Sequence, residues 1–109
     1  MNETVLMRKV MSVMSTGNTR VFRNNVGMRK IGRRAVRYGL CPGSSDLIGW
    51  KTIEITPDMV GEKVAVFMAV EVKTVKGSVN KNQTNFLQEV SRAGGIAKIV
   101  RSVEEAKHV

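Results

Sequence analysis

Three side chains of this 109-residue sequence have the types and placement for metal-assisted chemistry on a phosphate: Asp46, Glu71 and Lys73. Asp46 follows the loop Cys41-Pro42-Gly43-Ser44-Ser45, and Glu71-Val72-Lys73 ends an apolar run that begins at Val64. If the strands that carry them are neighbours, two carboxylates and an ammonium meet at one sheet edge. Close carboxylates repel, and each is driven toward protonation unless a cation lies between them. Mg²⁺ or Mn²⁺ suits that place, because Mg²⁺ takes one or two carboxylates, keeps several waters and completes its octahedron with phosphate oxygen. The backbone carbonyl of Val72 could supply a further ligand. Such an ion activates water and stabilises charge on a phosphate in flight, the two requirements of phosphodiester hydrolysis. Lys73 could hold the water's proton or pair with the phosphate, and Gln83, near the start of the next helix, could orient the water if that helix packs back over the strand. A plainer reading uses the same residues. Glu71 and Lys73 then form a same-face ion pair at a strand end, and Asp46 is a turn residue after two serines.

Charge distribution names the partner class. The net charge is +9, and residues 1–45 hold nine basic side chains against one acidic, whereas residues 46–109 hold nine against eight. The basic half contains Arg8, Lys9, Arg20, Arg23, Arg29, Lys30, Arg33, Arg34 and Arg37, with no acidic residue between Glu3 and Asp46. Arginine dominates, and its planar fork suits bidentate contact with phosphate. A nucleic-acid backbone is the natural partner, with Arg20, Arg23, Arg29, Lys30, Arg33 and Arg34 as candidate contacts. Solubility charge on a solvated face is the plain alternative. A membrane surface fits less well, because no basic amphipathic helix concentrates these residues. No run approaches the ~20 apolar residues that span a bilayer. The single cysteine excludes an intramolecular disulfide and a Cys-cluster metal site, and the composition points to a reducing cytoplasm.

The elements that must position these residues follow from periodicity. Glu3, Leu6, Met7, Val10, Val13 and Met14 recur at helical spacing over residues 3–15, with Asn2 to cap and Gly17 to terminate. Glu3, at the edge of the apolar face, either complements the helix dipole or points into a site. Residues 19–24 and 33–38 read as short extended segments, with Gly27 and Gly32 as turns between them. Asp46 opens an extended run to residue 55, then Thr56 can cap a single helical turn with Pro57 first. Residues 64–74 read as the clearest strand, apolar on both faces up to Val70, with Glu71 and Lys73 sharing one face. A helix over residues 81–93, stopped by Gly94-Gly95, leads to a strand over 96–101. Ser102 and Glu105 form a capping box for a last short helix. Strand, helix and strand make a βαβ unit with a parallel pair. The length fits one domain, residues 1–109, which buries about two thirds of its unfolded surface. The fold class is α/β, a mixed sheet flanked by helices.

Gly43-Ser44-Ser45-Asp46-Leu47-Ile48-Gly49, then Val70-Glu71-Val72-Lys73, then Gly77, Gln83 and Phe86, and finally Gly94-Gly95-Ile96-Ala97 resemble the virus-type replication-repair nuclease family, the VRR-NUC domain, a branch of the PD-(D/E)xK nucleases. Chains of this length resemble its stand-alone phage or prophage members. The resemblance implies a restriction-endonuclease-like core of α-β-β-β-α-β order. It implies that Asp46 and Glu71 bind a divalent metal, Mg²⁺ or Mn²⁺, with the Val72 carbonyl, and that Lys73 is the catalytic lysine. Glu3 matches the family's N-terminal acidic position and Gln83 its glutamine after the lysine. Ser45-Asp46 replaces the superfamily's Pro-Asp, a departure this family commonly shows. Arg23 and Asn24 fall where the family has a polar basic segment, and are expected to contact DNA. The resemblance further implies an endonuclease selective for DNA structure, four-way (Holliday) junctions or flaps, working as a homodimer in a bacterial host cytoplasm. A junction's two-fold symmetry calls for two sites related by a two-fold axis.

Other residues read more plainly. His108 is a tail residue without a second ligand, and Cys41 lacks the base that a nucleophile needs. Trp50 and Tyr38 suit core or edge positions better than base stacking. The rival to a nuclease is a non-catalytic basic nucleic-acid-binding module, in which the carboxylates are structural. Alanine at Asp46 or Lys73 separates the two readings.

Overall fold

The computed structural model describes residues 2–109, and the chain divides into two compact units, Met1–Lys51 and Thr52–Val109. The first unit opens with helix α1, Glu3–Met14. Asn2 caps it as its position suggested, its side-chain oxygen accepting from the Val5 N–H at 2.9 Å, with Glu3 in the first turn where the dipole favours an anion. Ser15 ends the helix, and its hydroxyl accepts from the Val21 N–H at 3.3 Å, fixing the return of the chain into strand β1, Thr19–Arg23. Strand β2, Gly27–Ile31, and strand β3, Arg34–Tyr38, form a hairpin, and β4, Leu47–Lys51, pairs antiparallel with β1 from Thr19↔Lys51 to Arg23↔Leu47. Phe22 and Trp50 lie with ring centroids 5.5 Å apart on this ribbon, so Trp50 is a packing residue.

Two expectations change here. Residues 27–31 form a strand, and of the two glycines only Gly32 makes the turn. Gly27 is needed inside the ladder because the Tyr38 side chain lies over it. A Cβ there would fall against the phenol, with the ring carbons Cζ at 2.5 Å and Cε2 at 3.0 Å. The extended run after Asp46 is also shorter than expected. It pairs only over Leu47–Lys51, where β1 supplies partners, and Asp46 stands just before it.

In the second unit a single 3-10 turn, Pro57–Met59, follows Thr56. Thr56 does not cap it through its side chain. Its hydroxyl bonds the Asp58 carboxylate instead, and that bond, then the Asp58 backbone N–H, hold this exposed carboxyl below its usual range. Strand β5, Met68–Val72, runs parallel to β6, Ile96–Val100, and helix α2, Lys81–Arg92, joins them and packs on both, the expected βαβ unit. The ladder starts at Met68↔Ile96, so residues 64–67 of the long apolar run have no paired strand beyond one bond from the Ile96 N–H to the Phe67 carbonyl. With a single ladder partner and α2 on one face, β5 leaves Met68, Val70 and Val72 exposed rather than covered on both sides.

Asn80 and Gln83 close a reciprocal capping box on α2, at 2.8 and 3.0 Å. The helix stops at Gly94, whose φ of +98° suits glycine. Gly95 then passes so close to Val90 that a Cβ would lie 2.8 Å from Val90 Cγ1. Val90 and Val100, 1% and 6% exposed, form the buried centre of this unit. Ser102 caps the short helix α3, Val103–Ala106, accepting from the Glu105 N–H at 3.0 Å, while the Glu105 carboxylate accepts from the Arg101 N–H at 2.6 Å. No helix of the described residues is long and apolar enough to cross a membrane. The order holds more strands before α2 than the α-β-β-β-α-β core. In pairing they form three two-stranded ladders, one parallel and two antiparallel, in a mixed α/β arrangement flanked by helices.

Candidate functional site

In the second unit, Glu71 lies on the face of β5 that α2 covers. Its Oε1 accepts from Gln83 Nε2 at 2.6 Å and faces Lys73 Nζ at 3.7 Å, with the Lys73 and Glu71 side chains 22% and 29% exposed. Gln83 makes this contact because it is the third residue of α2. Its Oε1 is fixed by the Asn80 N–H, so its Nε2 is turned to the strand. The same capping box that starts the helix therefore aims an amide at the carboxylate. Among the described residues both contacts are made by Oε1, and none bonds the second oxygen, Oε2. A cavity of about 430 Å³, walled by Phe67, Ala69, Val70, Phe86 and Leu87, opens beside Glu71 and Gln83, so the carboxylate stands at the margin of an apolar surface.

The turn after Lys73 is clamped. Lys73 itself stays on the ladder through its N–H to the Val100 carbonyl at 3.0 Å. One guanidinium nitrogen of Arg101 then donates to the carbonyls of Thr74 at 2.8 Å and Gly77 at 2.6 Å. Sequence spacing offers no sign of this role, since the two ends lie more than twenty residues apart.

In the first unit, Glu3, Asp46 and Arg23 line one pocket of about 210 Å³, together with Thr4, Met7 and Asn25. Three elements bring them there: the first turn of α1, the end of β1 and the residue before β4. Among the described residues the two carboxylates take no ion pair, and the Arg23 Nε donates to Asn25 Oδ1 at 2.9 Å. Glu3 stands in the first turn of α1, where the dipole favours an anion, and also lines this pocket.

Asn24 is engaged throughout. Its N–H donates to the Asp46 carbonyl at 2.8 Å, its Nδ2 to Ser44 Oγ at 2.8 Å and the Ser45 carbonyl at 2.9 Å, and its Oδ1 accepts from the Leu40 N–H at 2.9 Å. This side chain ties both ends of the loop that delivers Asp46. Replacing Asn24 with alanine removes three side-chain hydrogen bonds and leaves the Leu40 N–H without its acceptor, so the expected loss is about 1–3 kcal/mol. Urea unfolding reads the loss, and the Leu40 amide should exchange with solvent faster. An unchanged midpoint with unchanged exchange would show that the loop is held by other contacts. Arg20 is likewise tied locally, one nitrogen donating to the Gly17 and Thr19 carbonyls, whereas Arg29, Lys30, Arg33 and Arg34 stand exposed on the hairpin and form no ion pair among the described residues.

Among the described residues no group of three or more His, Cys, Asp or Glu side chains gathers as a ready-made metal cluster. The donors present are carboxylates and backbone carbonyls, a hard-oxygen set that fits an ion which keeps part of its water shell. His108 pairs with Glu104 at 3.5 Å, and Cys41 is exposed in the loop, so neither adds to that set.

No curated protein and no solved structure matches the chain. A family model does: that of the VRR-NUC domain matches residues 13–104, a span that includes Asp46, Glu71, Lys73 and Gln83 and leaves Glu3 outside. With most of its length inside that match, and with the strand, lysine and capping-box glutamine arranged as above, the chain belongs to the VRR-NUC family and is a nuclease-type domain.

Proposed function

We propose that the protein, acting over residues 1–109 as one domain, is a Mg²⁺- or Mn²⁺-dependent endonuclease that hydrolyses phosphodiester bonds of branched DNA, four-way junctions first among them. The observation that carries this reading is the carboxylate of Glu71, held by Gln83 and faced by Lys73 at the end of a strand, with both contacts on Oε1. A structural ion pair needs no third group, whereas a metal ligand gains from an amide that fixes its orientation. In this reading Asp46 and Glu71 bind the ion, with the Val72 carbonyl, and a bound ion supplies an activated water and neutralises charge on the phosphate. Lys73 holds the proton of the attacking water or pairs with the scissile phosphate. Gln83 orients Glu71, and Glu3 adds a carboxylate to the catalytic set. Arg20, Arg23, Arg29, Lys30, Arg33 and Arg34 bind the DNA, and Asn24 supports that path through the loop it ties. The protein works as a homodimer, because paired cuts on a two-fold junction need two sites. Its place is the cytoplasm, that of a bacterial host if a phage or prophage encodes it.

Incubation with labelled four-way junction, flap and linear duplex, in Mg²⁺, Mn²⁺ or EDTA, tests this directly. Symmetric paired cuts on the junction that EDTA removes are the expected result, with a dimer in sedimentation velocity. Binding to every substrate without cutting in either metal would make the protein a basic nucleic-acid-binding module instead.

A further inference from the structure

Among the described residues the β2–β3 hairpin has no extensive packing partner inside its unit. Its two strands pair with each other, and both are exposed from Met28 through Tyr38. A lone two-stranded ribbon is marginal in water. Yet this one carries Arg29, Lys30, Arg33, Arg34 and Arg37, and no ion pair of the described residues involves any of them.

Register places these charges. Residues opposite each other share a face, so Lys30 and Arg37 project from one face with Met28 and Ala35, and Arg29 and Arg34 from the other with Ile31 and Val36. Both faces are cationic. The turn is the two-residue loop Gly32-Arg33, with Gly32 at φ +62° and Arg33 at negative φ, the primed geometry in which glycine comes first. Arg33 is therefore the tip.

We infer that this hairpin is a DNA-binding arm that enters the major groove of a duplex tip first, its two cationic faces against the two phosphate walls and Arg33 toward the base edges. A protein or lipid surface would meet one face and leave the other's charges unpaired. A second copy of the hairpin would oppose like charges. The major groove is about 12 Å wide and admits a two-stranded ribbon, whose thickness with side chains is about 10 Å. Arginine at its floor can donate in bidentate fashion to guanine O6 and N7. The inference rests on DNA being the substrate, and it goes further by naming the groove and the element that reads it.

Binding to duplex DNA is measured by anisotropy in EDTA across a salt series, beside dimethyl sulfate footprinting, which reports guanine N7 in the major groove and adenine N3 in the minor. The wild-type protein should protect guanine N7. The quadruple variant Arg29→Gln, Lys30→Gln, Arg34→Gln, Arg37→Gln should flatten the slope of log K against log salt by about three to four. Arg33→Ala alone should remove the N7 protection and flatten the slope by about one or less. Circular dichroism and urea unfolding report that both variants remain folded, and metal-dependent hydrolysis of bis(p-nitrophenyl) phosphate by the wild type, a diester too small to need a groove, tests the nuclease reading separately. An unchanged slope, protection of adenine N3 alone, or a change in sedimentation without a change in DNA affinity would overturn the arm. Loss of small-diester hydrolysis in the wild type would instead remove the nuclease reading, and the slope and footprint would still decide the arm.

Discussion

Replacing Lys73 with alanine should lower metal-dependent DNA cleavage by about 10²–10⁴-fold and leave the fold and the DNA affinity nearly unchanged. That range is typical when one positioned proton-transfer or charge-stabilising group is removed. The structure separates this chemical loss from a structural one. Lys73 keeps its place on the ladder through its backbone N–H to Val100, which alanine preserves. Its ammonium stands 3.7 Å from Glu71 with both side chains partly exposed, a pair of the kind that contributes about 0–1 kcal/mol. The urea midpoint should therefore move little. Lys73→Arg is the informative companion: it keeps the charge but replaces a compact ammonium by a planar fork that is never deprotonated, so activity should stay low if Lys73 handles a proton and recover in part if it only pairs with phosphate. Full cleavage by Lys73→Ala would leave Glu71 and Lys73 as the structural ion pair that their spacing also allows.

Much of the second unit was legible because its signals are local. The Gly94-Gly95 stop and the Ser102 cap act within a few residues, and the structure places α2 and α3 accordingly. The alternation of β5 likewise put Glu71 and Lys73 on one face, and the two are within ion-pair distance. What the pattern could not say is where pairing ends. Residues 64–67 look as much like strand as residues 68–72 do, but β6 begins at Ile96 and offers no partner beyond. Nor could spacing reveal that Gln83 grips Glu71, twelve residues away, since that needs the helix to fold back over the strand.

The first unit was harder to read, and for one reason: its contacts join distant segments. Asn24 looks like one polar residue in a basic stretch, yet it binds Leu40, Ser44 and Ser45. Met28-Arg29-Lys30-Ile31 lacks a clean alternation, and only its pairing with residues 34–38 makes it a strand. Glu3 could be assigned to a helix dipole or to a site from sequence, and the pocket it lines with Asp46 and Arg23 exists only once α1, β1 and β4 are in place.

Gly49 carries the largest expected effect on stability, and on the placement of Asp46 with it. It lies opposite Val21 in the antiparallel ladder of β1 and β4. A Cβ at this position would fall on the Arg20 carbonyl oxygen and come within 2.7 Å of Val21 Cα. Both are backbone, so no side chain can rotate away, and the strands must separate. Gly49→Ala should therefore destabilise the protein by on the order of 3 kcal/mol or more, the upper range for forced overpacking. Gly43→Ala provides the contrast. Its glycine has φ +83° but open space around it, so its cost is the left-handed backbone alone, about 1–2 kcal/mol. Urea unfolding of the two variants should rank them in that order, with Gly49→Ala the lower midpoint. The consequence for function follows from the same ladder. Arg23 pairs with Leu47, and the Asp46 carbonyl accepts from Asn24, so opening the strands at Gly49 frees the residue that this reading makes a metal ligand. Cleavage by Gly49→Ala should fall at temperatures where Gly43→Ala is still active. Equal midpoints would mean that β4 can slide to admit a methyl group, and that its close approach to β1 is not what holds Asp46.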